Sequence, residues 1–134
     1  MQEAMHVAVV FIETPYGIPV IMDPRKPDPL YWKLPGGKKE LSETPTQTAV
    51  REIWREIGLR LNPKRLFLVH QELVHQETPD EHMYFIYSAK QRDVRRVRHI
   101  GDKGQEIMFM SREDMRKISL LPMHRRILIR KHLI

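Results

Sequence analysis

Cysteine is absent from the chain, which removes disulfide staples, zinc-thiolate sites, iron-sulfur ligation and thiol nucleophiles together. Long apolar runs are absent too. The longest, Val7 to Ile12, falls far short of the roughly 20 residues needed to cross a bilayer, and nothing at the N-terminus reads as a secretory signal. The expectation is a cytoplasmic protein without membrane association. Internal repeats and low-complexity tracts are missing, and so is a regular alternation of strands and helices. Acidic residues are outnumbered by basic ones, 17 against 23, and the net charge of +6 favours anionic partners such as phosphates, nucleic acid or lipid without choosing among them. With 41% hydrophobic and 30% charged residues there is enough material for a small core, and a disordered polyelectrolyte is excluded. A chain of 134 residues reads as a single domain spanning residues 1–134.

The apolar stretch Met5 to Ile12, the turn Thr14-Pro15-Tyr16-Gly17 and the stretch Ile18 to Met22 read as strand, turn and strand. Pro24, Pro27 and Pro29 then break regular structure around the exposed pair Arg25-Lys26. Tyr31 to Leu34 reads as a short strand that Pro35-Gly36-Gly37 ends in a sharp turn. From Thr44 the pattern becomes helical. Thr44 suits the N-cap, Pro45 the first helical position and Gly58 the C-terminal cap, which predicts a helix over Pro45 to Ile57. Ala49, Val50, Ile53, Trp54 and Ile57 recur at three- and four-residue spacing and form its packing face. Strands are expected at Leu66 to Val74, Met83 to Ala89 and Ile107 to Met110, with a turn at Thr78-Pro79-Asp80. Helices are expected at Arg112 to Ile118 and Pro122 to His132. Together these elements predict an α+β fold with a mixed sheet.

Within the first helix Glu52 and Glu56 stand four residues apart, on one face opposite Ala49, Ile53 and Ile57. Like charges at this spacing repel by a few tenths of a kcal/mol, a cost that a bound divalent cation reverses. The bland alternative is a pair of solvated carboxylates. Glu43, just ahead of the helix, either reaches the same face or pairs with Arg51. An oxygen donor set without cysteine or a histidine pair suits a hard cation, Mg²⁺ or Mn²⁺. Before the helix, Pro35-Gly36-Gly37-Lys38 offers bare backbone that approaches a phosphate or donates a carbonyl to a metal, and Lys38 adds positive charge for the phosphate.

The segment Gly37 to Leu59 resembles the Nudix box, G-x5-E-x7-R-E-U-x-E-E-x-G-U, where U is a bulky aliphatic residue. Gly37, Glu43, Arg51, Glu52, Ile53, Glu56, Gly58 and Leu59 stand at matching positions, and the approach Trp32-Lys33-Leu34-Pro35-Gly36-Gly37 is similar as well. The resemblance implies a MutT-like Nudix hydrolase built as an α/β/α sandwich, with a mixed β-sheet between helices. It implies Mg²⁺-dependent hydrolysis, with Mn²⁺ as a substitute, of a pyrophosphate bond in a nucleoside diphosphate-linked substrate. A (deoxy)nucleoside triphosphate is the first expectation; pyrophosphorylated RNA 5′ ends, ADP-ribose and dinucleoside polyphosphates are the alternatives. It further implies Glu52, Glu56 and the Gly37 carbonyl as metal ligands, an Arg51–Glu43 ion pair bracing loop against helix, and Lys38 on the phosphates. Some relatives place a general base in a late loop, for which Gly101 to Glu106 is the candidate segment and Glu106 the favoured residue. Many relatives form dimers, so a homodimer is also entertained. One position departs from the pattern: Arg55 replaces the first Glu of the E-E pair. It either reaches a substrate phosphate or pairs with Glu52 and quietens the site, and the second outcome fits a nucleotide-binding module that does not cleave.

Other features carry less. Tyr31 and Trp32, close to the box, are candidates for stacking a nucleobase, as is Tyr84, whereas Trp54 is assigned to the core. Arg92, Arg95, Arg96, Arg98 and His99 either steer polyphosphate or RNA or form a solvated loop. Arg125, Arg126, Arg130 and Lys131 on the last helix read as the outer face of a core-packed element. His70, His75 and His82 lack metal-ligand spacing and are read as structural.

Overall fold

Alternation along one strand organises the molecule, here a computed structural model that describes residues 5–75 and 81–134. In β1 (His6–Glu13), Val7, Val9 and Phe11 join one apolar cluster, while Ala8, Val10 and Ile12 join another on the opposite side. Both faces of this strand are therefore covered, which explains its unbroken apolar run. After β2 (Ile18–Met22) and β3 (Gly36–Lys38) comes α1 (Pro45–Ile57), whose Ala49, Ile53 and Ile57 pack on the Ala8 side. A single 3₁₀ turn (Pro63–Arg65) leads to β4 (Phe67–His75), β5 (Glu81–Lys90) and β6 (Glu106–Met110). The chain then forms α2 (Arg112–Lys117) and α3 (Pro122–Arg130), which set Met115, Ile127 and Leu128 against the Val7 side. Burying an Ile or Leu side chain of this kind contributes about 2 kcal/mol.

The main sheet has the order β3-β1-β5-β4, and β2 pairs with β6 in a separate ribbon. The β1–β5 pair is parallel and the others are antiparallel, so the expected mixed sheet between helices is present. The first helix matches its predicted bounds. Thr44 caps it reciprocally with Gln47, and Gly58 ends it in the left-handed region at φ 72°. No helix among the described residues is long and apolar enough to cross a membrane.

Two local expectations need correction. Tyr31 to Leu34 makes only isolated bridges, Trp32 to Leu120 and Lys33 to Ile21, and the strand falls instead on Gly36–Lys38, where a turn was expected. The reason is contact. A Cβ on Gly36, at φ 149°, would stand 2.1 Å from the Ala8 carbonyl oxygen, so only glycine can lie this close to β1. The predicted turn at Thr78-Pro79-Asp80 lies outside the described residues. On the last helix Arg126 pairs with Glu72 of β4 while Ile127 and Leu128 are buried, as its amphipathic pattern requires.

Candidate functional site

The close passage of β3 beside α1 creates the site. Both Glu52 and Glu56 are almost fully buried, with exposures of 5% and 4%, although the sequence suggested solvated carboxylates as the bland alternative. Glu56 accepts a hydrogen bond from the Gly36 N–H at 3.0 Å. Gly37 leaves no room for a side chain, since a Cβ there would stand 2.8 Å from the Glu52 carboxyl carbon and Oε2. The paired glycines therefore let the backbone reach both carboxylates.

Arg51 is the hub of the surrounding charge network. Its guanidinium donates to Glu43 at 2.6 and 3.0 Å, to Glu52 Oε1 at 2.5 Å and to the Lys38 carbonyl at 2.9 Å. Loop, strand and helix are tied together by this one side chain, and the Glu43–Arg51 pairing expected from the sequence is present. The Arg51 guanidinium holds the Glu43 carboxyl down at about 2 against the opposing effect of burial. Behind Glu43 the Thr48 hydroxyl donates to its Oε1 at 2.9 Å, and the His6 Nε2 lies 2.9 Å from that hydroxyl.

Arg55 pairs with Glu52 in this structure, one of the two arrangements the sequence left open. One Nη donates to Glu52 Oε2, and the other donates to Asp102 Oδ2 at 2.7 Å. Both oxygens of Glu52 thus face guanidinium groups. Glu56 differs, because its one hydrogen-bond donor among the described residues is the neutral Gly36 amide. Burial pushes its carboxyl up to about 7, and the negative Glu52 adds to the rise. A carboxyl tuned to neutrality can hold or release a proton at physiological pH.

The remaining expected residues are dispersed. Lys38 is exposed on β3 and enters the network through its carbonyl. Trp32 is half-buried and packs on the core that includes Leu120 and Met115, with Tyr31 half-buried next to it. Glu106 is exposed at the start of β6, opposite Met22, and it is Asp102 of the same loop that touches the Arg55 network. Asp102, Thr48 and His6 were not singled out from the sequence. Asp102 falls within the Gly101 to Glu106 segment that the sequence marked, but it enters the site as a partner of Arg55. Trp54 also departs from expectation: it is half-buried, with the Arg60 guanidinium 4.8 Å above its ring. Near the approach to β3, His124 accepts from the Leu34 N–H at 3.1 Å, and burial holds its imidazole neutral down to about pH 4.

Among the described residues no three His, Asp or Glu side chains stand in an arrangement that could hold a metal ion by themselves. Two buried carboxylates beside open backbone suit an ion that keeps waters and takes its remaining ligands from a substrate phosphate, as Mg²⁺ commonly does.

Comparison with known proteins agrees with this geometry. A family model described as NUDIX domain matches residues 3–131. Phosphatase NudJ of Escherichia coli K12 is 32% identical over 60 residues, a match that covers 45% of this chain and 39% of that protein. This chain therefore matches about two-fifths of the length of that curated relative. The fold is similar to the crystal structure of a MutT protein from Methanosarcina mazei Go1, with a TM-score of 0.77, 17% identity and coverage of 99% of this chain and 97% of that one. It is also similar to a mutator MutT protein from Bacillus halodurans, with a TM-score of 0.74, 19% identity and coverage of 96% and 81%.

Proposed function

The chain belongs to the NUDIX domain family, and on that premise we propose that it is a hydrolase cleaving a pyrophosphate bond in a nucleoside diphosphate-linked substrate, with a (deoxy)nucleoside triphosphate as the first choice. The observation that carries this reading is the buried Glu52–Glu56 pair against the bare Gly36-Gly37 backbone. Burying two neighbouring carboxylates is costly, and of the pair only Glu52 accepts hydrogen bonds from Arg51 and Arg55, whereas Arg55 and Lys33 reach Glu56 only through space. Glu56 is left for a cation.

Glu52, Glu56 and the Gly37 carbonyl would hold the divalent ion, Mg²⁺ or its substitute Mn²⁺. When bound, the ion supplies neutralisation of phosphate charge and a lowered pKa for water. The chain's own residues do the rest. Arg51 fixes the carboxylate geometry through Glu43 and the Lys38 carbonyl. Lys38 places a cation beside the phosphates, and the buried Glu56 keeps for the ion a carboxylate that no side chain of the described residues hydrogen-bonds. Glu106 remains the candidate for a general base from the late loop, while Asp102 of the same loop braces Arg55. The curated relative's name, a phosphatase, is compatible with this chemistry.

The test is phosphate release, with coupled pyrophosphatase or phosphatase, over nucleoside triphosphates, ADP-ribose, dinucleoside polyphosphates and triphosphorylated RNA, with and without Mg²⁺. Metal-dependent turnover that disappears in Glu56→Gln supports the hydrolase and names its substrate. A second reading has one observation in its favour: the engagement of both Glu52 oxygens by arginines fits a module that binds a nucleotide without cleaving it. No turnover with either Mg²⁺ or Mn²⁺, together with nucleotide affinity preserved in Glu56→Gln, would favour that module.

A further inference from the structure

The far side of α1 carries a second feature that the hydrolase reading leaves unused. At 100° per residue Trp54 lies about 160° around the helix from both Glu52 and Glu56. There it lines a groove of about 410 Å³ with Gly58, Arg60, Gln91, Arg95 and Arg96. A second groove of about 630 Å³ shares Arg60 and Gln91 and adds Arg65, Lys90 and Arg92. The two adjoin through the shared residues and form one trough.

Its charge is nearly all of one sign. The one carboxylate in the lining is Asp93, already bonded by Arg95 at 2.9 and 2.8 Å. Arg60, Arg65, Lys90, Arg92 and Arg96 form no ion pair with a carboxylate among the described residues, although Asp93 also attracts Arg96 through space. The wall is also fixed in place. The Arg98 N–H donates to the Ile57 carbonyl at 2.8 Å, and its guanidinium donates to the Arg55 carbonyl at 2.9 Å. A Cβ on Gly58 would lie 2.3 Å from the Arg96 carbonyl oxygen, so the segment is seated tightly on the end of α1. Cations near a helix C-terminus are favourable in themselves. That accounts for Arg98, whose guanidinium meets a terminal carbonyl, and leaves the cations farther along the trough unexplained.

We propose that this trough binds single-stranded nucleic acid, with the phosphodiester backbone lying along the unpaired cations and a base stacking at the Trp54–Arg60 pair. The chemistry selects this ligand in three steps. Several cations in succession suit a polyanion longer than one phosphate group. A flat indole–guanidinium pair offers a stacking plane, and the Gln91 amide offers both a donor and an acceptor to a base edge. A concave trough admits an extended strand, whereas a duplex is read by helices or ribbons that project into its grooves. The aliphatic residues of the lining, Leu61 and Ala89, are buried, and Trp54 is covered on one face by Arg60, so the trough offers no apolar stripe of the kind that enters a lipid surface.

The experiment is a fluorescence anisotropy titration of the full chain, in EDTA, with a labelled RNA of about 12 nucleotides bearing a 5′ hydroxyl. That probe has no pyrophosphate to engage the carboxylate site, so its result is separable from the hydrolase reading. Affinity should fall steeply between about 50 and 200 mM salt, with a log–log slope of roughly 0.7 for each phosphate contacted. The double variant Arg65→Glu/Arg92→Glu, at two exposed positions, should bind at least about tenfold more weakly with a shallower slope. Its charge-matched control, Arg130→Glu/Lys131→Glu on α3, should lose less than about threefold. Trp54→Leu should weaken binding while preserving the slope, with folding of every variant checked by circular dichroism. Equal losses in the two double variants would reduce the effect to net charge and overturn the proposal. It would equally be overturned by absence of binding, by a duplex of the same sequence binding as tightly, or by preferential binding to phosphatidylserine vesicles.

Discussion

The two sides of α1 handle charge in opposite ways. On the Glu52 side, Arg51 and Arg55 link four carboxylates, Glu43, Glu52, Asp102 and the more distant Glu40, into one network. On the Trp54 side, five cations line a trough and form no ion pair among the described residues. Matched charge fixes geometry, and its net worth to stability is small because each ion gives up water to find its partner. Unmatched charge keeps its water and stays available to a ligand. Glu56 is the exception on the matched side, since it is buried without a cationic hydrogen-bond partner among the described residues.

The largest effect should come from that exception. Glu56→Gln keeps shape and volume, and it should still accept from the Gly36 N–H, but it removes the negative charge. Turnover with Mg²⁺ should fall by roughly 10²- to 10⁴-fold, measured by phosphate release on the best substrate of the panel. A fall of less than tenfold would place the essential carboxylate elsewhere and leave Glu56 as an ordinary member of the matched side.

The next largest concerns the strand that delivers the backbone to these carboxylates. Gly36→Ala forces a Cβ into the Ala8 carbonyl at a backbone angle that L-residues avoid, and should cost about 3 kcal/mol in urea unfolding. Gly104→Ala makes the complementary case, with φ +78° and open space around the new methyl, and should cost only about 1 kcal/mol. Equal costs would mean that backbone angle alone, and not the approach to β1, requires glycine at position 36.

These positions also show where the sequence is legible. The helix is, because Thr44, Pro45 and Gly58 mark its ends and the apolar period fills it, all through contacts within a few residues. The carboxylate pair is legible for the same reason. Strand β3 is not, because Gly36-Gly37 carries the local signature of a turn and becomes a strand only when β1 arrives from nearly thirty residues away. Trp54 sits at the edge of the helical apolar stripe, where periodicity cannot separate core from groove wall. Asp102 and Glu106 are equally good carboxylates in one loop, and only the tertiary position of Arg55 distinguishes them. The network behind Glu43 spans His6 to Thr48, a separation no local pattern records.

A smaller effect tests the cost of the buried charge. Glu56 titrates near 7 when folded, against an ordinary value of 4.5, so its contribution to stability is complete below pH 4.5 and is lost as pH rises through about 7. In EDTA, Glu56→Gln should therefore match the parent chain at about pH 4.5 and exceed it by about 3 kcal/mol at about pH 8. The same substitution then removes activity and raises stability, as expected where a site holds a charge for its ligand rather than for the fold. A constant difference across pH would remove burial of ionised Glu56 from the account.

The smallest effect tests the support behind the matched side. The Thr48 hydroxyl has one proton, and the geometry has it donating to Glu43, so the hydroxyl oxygen is left to accept from His6 Nε2–H. Thr48→Val keeps the side-chain shape and deletes both bonds at once. Glu43 retains Arg51 and the Glu40 N–H at 2.7 Å, so the network should persist with a loss of about 1 kcal/mol. The sharper readout is the Glu43 carboxyl itself, followed by NMR titration. Its pKa should rise above the value near 2, because one of the hydrogen bonds that favour the charged form has gone. Thr48→Ser restores the hydroxyl without the methyl and should return that titration to its original position. A Glu43 pKa unchanged in Thr48→Val would mean that Arg51 alone sets its charge, and that the matched side of α1 ends at the arginine rather than continuing through Thr48 to His6.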